Sequence, residues 1–397
     1  MLVRFHGVRG SAPTSDLRTW QYGGNTPCVE IETPAGHRII VDGGTGLRAL
    51  GGTPGWGPEA VPLQASWLLS HYHWDHIQGL PFFPPLYEAR NRFDFYGLRP
   101  AGGGGMESAL QGQMLKPYFP VDMSLLAAAR SFTVVDPARR FALGDATVET
   151  AQLNHPQGCL GFRVETDHGI VVYASDNEPG DPAGDKAVRH LARGADVLIY
   201  DAQYSPAILE QRLGWGHSSW LEGVAVARSA GVRALVLFHH DPDSDDATIG
   251  RYVRLAREQL PATQGASEGL QMSCQTPTID FETTCMRIGP RVATQIPVRV
   301  RGQRADGSPL ETSGFMVNLT IKGTYVIMPE APEVGSEVEV TLLEPDQRDR
   351  AVPGHVVRVG ADSETGQSGV GIVFAVEQRF PRPIPGSNPE PGRTHQP

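Results

Sequence analysis

The chain has 397 residues, enough for a catalytic domain of about 280 residues followed by a module of about 100. Hydrophobic residues make up 40% and charged residues 20%, a globular composition, while 46 Gly and 33 Pro point to many turns. Net charge is -10; of 34 Lys+Arg and 44 Asp+Glu, residues 285–397 hold 12 and 13, leaving 22 against 31 in residues 1–284, which argues against long RNA or DNA as a partner because that affinity rests on counterion release by basic groups.

Apolar runs at Leu2 to Val8, Cys28 to Thr33 and Arg38 to Val41, separated by Gly and Pro, predict the first strands. Trp67 to Ser70 predicts a short buried strand, and Arg92 to Tyr96, Ala146 to Leu153, Gly161 to Glu165, Ile170 to Ala174, Val197 to Tyr200 and Ala234 to Phe238 predict more. Helical spacing of apolar residues predicts helices over Asp185 to Arg193 and Ser218 to Ala230. Gly97 to Phe119 reads as a Gly-rich loop, and strands interspersed with helices imply a layered α/β domain. Composition breaks near Gln264 to Thr284. Beyond it, Ile296 to Arg301, Phe315 to Val317, Thr324 to Met328, Glu337 to Leu343, His355 to Val359 and Gly371 to Ala375 predict a small all-β barrel. The Pro-rich segment 381–397 is expected to be a disordered tail.

No segment reaches the ~18 apolar residues of a membrane span and no leader pattern opens the chain, so a cytoplasmic protein without a membrane partner is expected. Cys28, Cys159, Cys274 and Cys285 lack CxxC spacing and are expected to be buried thiols.

Ser70-His71-Tyr72-His73-Trp74-Asp75-His76 places three imidazoles and a carboxylate where a buried strand ends. Neutral imidazole and carboxylate suit borderline divalent ions, and four such donors this close can serve two adjacent ions. The pattern His71-x-His73-x-Asp75-His76 resembles the signature of the dinuclear hydrolases of the metallo-β-lactamase superfamily, over roughly residues 1–260. That resemblance implies an αββα sandwich in which His71 and His73 bind one metal and Asp75 and His76 the other. It also implies His155, from Leu153-Asn154-His155, for the first metal, Asp176 as the bridging carboxylate, and His239 for the second, with His240 as its alternative. Asp42, in Val41-Asp42-Gly43-Gly44, resembles the family's second-strand aspartate, which supports ligands from behind; an ordinary turn aspartate is the other reading. The cofactor is expected to be two divalent ions, Zn²⁺ first, with Mn²⁺ and Fe²⁺ also accepted by such donors.

Gly216-His217-Ser218-Ser219 opens a helical run upstream of His239 and resembles ribonuclease Z and the small cyclic phosphodiesterases of the superfamily. The resemblance implies that His217 protonates the leaving oxygen, so the expected catalytic pair is Asp75 and His217. A capping role for His217 is the alternative, and Asp201 either orients that imidazole or is structural. Gly7-Val8-Arg9-Gly10-Ser11 and Tyr22-Gly23-Gly24-Asn25-Thr26 also resemble a bacterial subgroup of these enzymes. The spacing nearly fits the class II cyclic nucleotide phosphodiesterase pattern, with Trp74 where that pattern has Leu. Ribonuclease Z holds tRNA with a protruding basic arm, for which Gly97 to Phe119 offers few basic residues; a small phosphodiester substrate is expected instead.

Arg287-Ile288-Gly289-Pro290-Arg291 is an RxxxR pair before the barrel's first strand, and Asn318-Leu319-Thr320-Ile321-Lys322-Gly323 follows between strands. Guanidinium pairs clamp phosphates and stack on bases. Together the two elements resemble a PilZ domain over about residues 285–378, with Thr320 where that family has Ser. The resemblance implies cyclic di-GMP binding by Arg287, Arg291, Asn318, Thr320 and Gly323; a degenerate module that binds protein is the alternative. The expected organisation is a hydrolase domain at 1–283, a PilZ-like domain at 284–380 and the tail at 381–397. The expected function is a phosphodiesterase regulated through the second domain, with a ribonuclease Z-like endoribonuclease or an inactive cyclic di-GMP adaptor as alternatives and a homodimer left open.

Overall fold

A computed structural model of the protein describes residues 1–57, 62–274, 292–304, 306–319, 323–343, 350–361 and 368–374. The chain divides into two compact units, Met1–Arg287 and Ile288–Pro397.

In the first unit the strands are β1 (Leu2–Gly7), β2 (Cys28–Glu32), β3 (Arg38–Val41), β4 (Gln64–Leu69), β5 (Arg92–Gly97), β6 (Ala129–Val134), β7 (Arg140–Leu143), β8 (Ala146–Leu153), β9 (Cys159–Thr166), β10 (Gly169–Ala174), β11 (Val197–Asp201), β12 (Ala234–Phe238), β13 (Thr263–Gly265) and β14 (Gln271–Ser273). The helices are α1 (Gly46–Gly51), α2 (Trp74–Ile77), α3 (Met106–Gly112), α4 (Pro182–Ala192), α5 (Pro206–Gln211), α6 (Trp220–Ala230) and α7 (Asp246–Gln259). They form two seven-stranded sheets, ordered β14-β1-β2-β3-β4-β5-β6 and β13-β12-β11-β10-β9-β8-β7.

Continuous apolar strands follow from burial on both faces. Along β12, Ala234, Val236 and Phe238 enter the core between the sheets, while Leu235 and Leu237 enter the core beneath α4, α6 and α7. In the other sheet Ile39, Val41 and Leu68 face the same central core, and Ile40, Trp67 and Leu69 pack outward with Leu47 and Phe83. The result is helices, sheet, sheet, helices: the αββα sandwich that the histidine motif implies.

Both sheets are mixed. β3 to β6 run parallel, as do β10 to β13, whereas β1 to β3 and β7 to β10 are antiparallel. Chemistry-bearing residues in such sheets collect outside the carboxyl ends of the parallel strands. Here those ends are level: Val41 pairs with Leu68, Ala174 with Tyr200 and Asp201 with Phe238.

Two readings of the sequence need correction, and one helix carried no expectation. The expected break at Gln264 to Thr284 begins too early, since β13 and β14 complete the edges of the two sheets; short polar strands suffice at an edge, where less surface is buried. The Gly-rich segment 97–119 is not all loop, because Met106 and Leu110 of α3, with Met114, are buried in the outer core. A fourteen-residue helix, α7, follows β12; its N-cap Asp245 accepts from Thr248 N at 2.8 Å and its apolar face buries Ile249, Tyr252, Val253 and Ala256. Cys28, Cys159 and Cys274 are buried free thiols, and Cys285 lies outside the described residues.

The second unit is a closed barrel of β15 (Val292–Gln303), β16 (Pro309–Leu319), β17 (Gly323–Met328), β18 (Glu337–Leu342), β19 (Arg350–Ala361) and β20 (Ser368–Phe374), ordered β15-β16-β17-β20-β19-β18 with antiparallel pairs throughout. Alternation drives closure: Val298, Val300, Met316, Val326, Val340 and Ile372 are among the buried residues that fill its interior. Closure also removes the exposed edges of a flat sheet. The expected boundary at 283/284 and the segment 381–397 lie outside the described residues.

Candidate metal centre

Every histidine and aspartate of the expected ligand set stands just beyond a strand's carboxyl end. His71 leaves β4, with His73 capping α2 and Asp75 and His76 inside it; His155 follows β8, Asp176 follows β10 and His239 follows β12. Asp42, Asp176 and His239 turn out of their strands with φ of 58°, 61° and 58°. For residues with a side chain this left-handed backbone costs about 1–3 kcal/mol each, and such strain concentrates at functional sites.

The side chains converge as two trios joined by one carboxylate. Donor atoms of His71, His73 and His155 lie within 4.8 Å of one another, as do those of Asp75, His76 and His239. His73 Nδ1 is 3.0 Å from His155 Nε2; His76 Nε2 and Asp75 Oδ2 are each 3.2 Å from His239 Nε2. Asp176 Oδ2 lies 3.3 Å from His76 Nε2, and its Oδ1 lies 3.4 Å from His239 Nε2, 3.9 Å from His155 Nε2 and 4.0 Å from His71 Nε2.

Outward bonds fix which nitrogen faces inward. His155 Nδ1 donates to Gly216 O at 2.8 Å, His76 Nδ1 to Asp42 Oδ2 at 2.7 Å and His239 Nδ1 to Gln203 Oε1 at 2.9 Å. Ser70 spends its hydroxyl proton on Asp42 Oδ2 at 2.8 Å, so its oxygen accepts from His71 Nδ1 at 3.0 Å. In its neutral form each of these four imidazoles therefore presents Nε2 with its lone pair to the centre. His71 Nε2 is buried there with no hydrogen-bond partner. A buried acceptor left open, amid carboxylates and inward-facing lone pairs, is the donor set that a divalent cation completes.

Electrostatics agree. Burial holds His71 well below the ordinary imidazole range, and it lowers His73 and His155 too. His76 is also desolvated, yet Asp176, Asp75 and Asp42 push it well above that range. Burial opposes charge on Asp75 and Asp176 as well, but the surrounding imidazoles hold both well below the usual carboxylate range. A field that draws a proton to His76 draws any cation, and a bound divalent ion takes the proton's place.

Beside the cluster, His217 Nδ1 donates to Asp201 Oδ2 at 2.9 Å and lies 3.7 Å from Asp176 Oδ1. Burial disfavours its charge, but Asp201 overrides this and, with Asp176 and Asp75, raises His217 to about 9. Asp201 also accepts from the amides of Asp176, Gln203 and Ser218 at 3.0–3.1 Å, tying three loops to one carboxylate. His240 stands apart: its Nε2 donates to Ala266 O at 2.9 Å, and burial lowers it to about 3.

Residues with no such expectation complete the shell. Ser11 N donates to Asp75 Oδ2 at 2.7 Å, Tyr173 Oη donates to Asp42 Oδ2 at 2.7 Å, and Glu178 accepts from Gly214 N and Gly216 N at 2.8–2.9 Å. Gly10 lies against His239, where a Cβ would fall 2.3 Å from Nδ1, and Gly216 lies against His155, where it would fall 2.2 Å from Nδ1. Arg9 of the opening motif is buried and braces the scaffold, donating to the carbonyls of Gly23, Asp241 and Ser244.

Of the expected barrel ligands, Asn318 pairs across the sheet with Tyr325 and Gly323 with Val373, whereas Arg287, Arg291 and Thr320 lie outside the described residues.

Comparison with known proteins is consistent with this geometry. Residues 37–240 match the β-lactamase superfamily domain and residues 286–380 the PilZ domain. Ribonuclease Z of Methanopyrus kandleri is 26% identical over 315 residues, covering 68% of this chain and 97% of that protein. Ribonuclease BN of Escherichia coli is 34% identical over 251 residues, 50% of this chain and 78% of that protein. With ribonuclease Z of Brevibacillus brevis the match is 35% over 102 residues and spans only 30% of that protein and 25% of this chain. Among solved structures, the metallo-β-lactamase fold protein YhfI of Bacillus subtilis (TM-score 0.52) and a diphosphatase of the PhnP family (0.50) each share 19% identity over 68% of this chain and 97% of theirs. At that identity the likeness is one of fold.

Proposed function

The chain belongs to the β-lactamase superfamily and carries a PilZ domain, and on that premise we propose that it is a metal-dependent phosphodiesterase of small nucleotide diesters, with residues 1–283 catalytic and 284–380 regulatory. His71, His73 and His155 would hold one divalent ion, Asp75, His76 and His239 a second, and Asp176 would touch both. Zinc suits this donor set, and manganese and iron(II) are also accepted. When bound, the ions supply a nucleophile from water near neutral pH and neutralise charge on the phosphoryl oxygens.

The observation that carries the reading is the pairing of that cluster with His217. Asp201 accepts from Nδ1, so the proton available to a substrate sits on Nε2. An alkoxide leaving group needs such a donor, whereas an activated phenolate barely does. Asp75 belongs to both the metal and the catalytic sets, its orientation set by Ser11 N. Asp42, Gln203, Ser70 and the Gly216 carbonyl hold the imidazoles in register from behind.

The relatives named ribonuclease Z and ribonuclease BN favour a second reading, an endoribonuclease acting on RNA. Two features support a small substrate instead. Segment 97–119 packs Met106, Leu110 and Met114 into the core, and residues 1–284 are net acidic. For the barrel, the RxxxR pair and the Asn318 to Gly323 element support cyclic di-GMP as a regulator. The complete donor set argues against an inactive adaptor.

The test is a substrate panel with zinc-loaded, full-length protein: cyclic mononucleotides, linear dinucleotides and a 3′-extended precursor tRNA. The proposal expects chelator-sensitive hydrolysis of the small diesters. Cleavage of precursor tRNA with none of the small diesters would establish the second reading in its place.

A further inference from the structure

Two indoles flank the candidate metal centre, and neither takes part in it. Trp74 follows His73 and opens α2; it is 68% exposed although Asp75 and His76 behind it are buried. Trp215 precedes Gly216, the carbonyl partner of His155 Nδ1, and is 55% exposed. Because His73 Nδ1 and His155 Nε2 are 3.0 Å apart, the two tryptophans stand one residue away from the opposite ends of a single contact chain, His73 to His155 to Gly216.

The loop that carries Trp215 is fastened. Glu178 accepts from the amides of Gly214 and Gly216, on either side of the indole, at 2.8–2.9 Å. The Arg212 guanidinium lies 4.3 Å from the Trp215 ring centroid and 5.7 Å from that of Tyr204, whose ring meets His217 edge-on at 5.9 Å. A tryptophan that serves the fold buries its ring, as Trp56 and Trp67 do here at 1% exposure. Trp215 instead has a cation over its ring and remains 55% exposed. Planar cations and planar bases share the preference for an aromatic face.

We propose that Trp74 and Trp215 form an aromatic rim that stacks the nucleobase of the phosphodiester bound at the adjoining cluster. This rests on the phosphodiesterase reading and deepens it: the base next to the scissile phosphate is what the two indoles recognise. Loss of one base–aromatic stack lowers binding by about 5-fold to 150-fold.

Zinc-loaded, full-length protein is assayed on 2′,3′-cyclic AMP and on glycerol 1,2-cyclic phosphate, which keeps the five-membered cyclic diester and lacks the base. Trp215→Ala and Trp74→Ala are expected to lower kcat/KM for the nucleotide by about 5-fold or more, with a far smaller change for the base-free diester and with metal content and melting temperature retained. Trp215→Phe restores most of the loss. Equal losses on both diesters, or no loss on the nucleotide in either alanine variant, overturn the rim. A second readout is independent of turnover: AMP should quench the tryptophan fluorescence of the wild type saturably, ribose 5-phosphate should not, and Trp215→Ala should weaken the quench. If the wild type hydrolyses neither of these two diesters, the phosphodiesterase reading is decided by the wider substrate panel. The rim then stands on AMP-specific quenching lost in Trp215→Ala and falls without it.

Discussion

His71, His73 and His155 meet as three imidazoles, two buried and one half-buried, whereas Asp75, His76 and His239 meet as two imidazoles and a carboxylate, all buried. The first trio lies beside the glycine loop at 214–216, which supplies the carbonyl behind His155. The second is walled in by β3, β11 and the opening loop, through Asp42, Gln203 and Ser11. Desolvation first, and then repulsion from neighbouring imidazoles, keeps the first trio neutral, while the second sits in a field of three carboxylates that favours positive charge at His76. The two halves are thus unequal: a neutral, more accessible one and an enclosed, anionic one, joined by Asp176.

Replacing the shared carboxylate should have the largest effect. Asp176→Asn is expected to empty both halves and cut diester hydrolysis by more than about 10³-fold, the scale of losing a principal electrostatic contributor; elemental analysis and rate measurement check it. Full occupancy of either half in that variant would show that Asp176 is not shared.

His217→Ala should slow an alkoxide-leaving diester by about 10²–10⁴-fold with metal content unchanged, and should cost a p-nitrophenyl diester much less. Equal loss on both substrates would take His217 out of proton donation and leave it a structural partner of Asp201.

The two glycines set against imidazoles give the most direct way to treat the halves separately. Gly216→Ala pushes on His155 and Gly10→Ala on His239. Each should weaken one ion by about 10–100-fold, the usual cost of disturbing a group behind a ligand, and leave the other near wild type. Competition with a chromophoric chelator reads both constants, and parallel losses in both variants would mean that the halves are not independent. The smallest expected effect comes from the barrel: cyclic di-GMP should change hydrolysis by at least about fivefold, the lower end of ordinary coupling, and Arg291→Ala should abolish its heat of binding. Binding without any change in rate would end the regulatory role while leaving a receptor.

Much of this was legible in the sequence because the fold places its chemistry at strand ends, where an apolar run stops at His or Asp. Leu69 to His71, Leu153 to His155, Ala174 to Asp176 and Phe238 to His239 all read that way. Choosing His239 over His240 needed the backbone, since the φ of 58° at His239 accompanies a turn that sends one imidazole to the cluster and the next to Ala266 O. Gln203, Glu178 and Ser11 act on partners 36, 36–38 and 64 positions away, a separation that no local pattern encodes. α3 escaped because the four glycines at 102–105 dominate their surroundings, although Met106, Leu110 and Met114 keep helical spacing. The barrel's strands were readable from alternation, but three of its five expected ligands lie outside the described residues.

On the proposed function, diester hydrolysis depends on two unequal ion sites. The most direct test of this dependence is to strip the full-length protein with a chelator and titrate zinc back while following both occupancy and hydrolysis of a cyclic nucleotide. No activity is expected without metal, binding should saturate at about two ions per chain, and the rate should rise mainly with the second equivalent. Undiminished hydrolysis after stripping, or saturation of both binding and rate at a single ion, would contradict it.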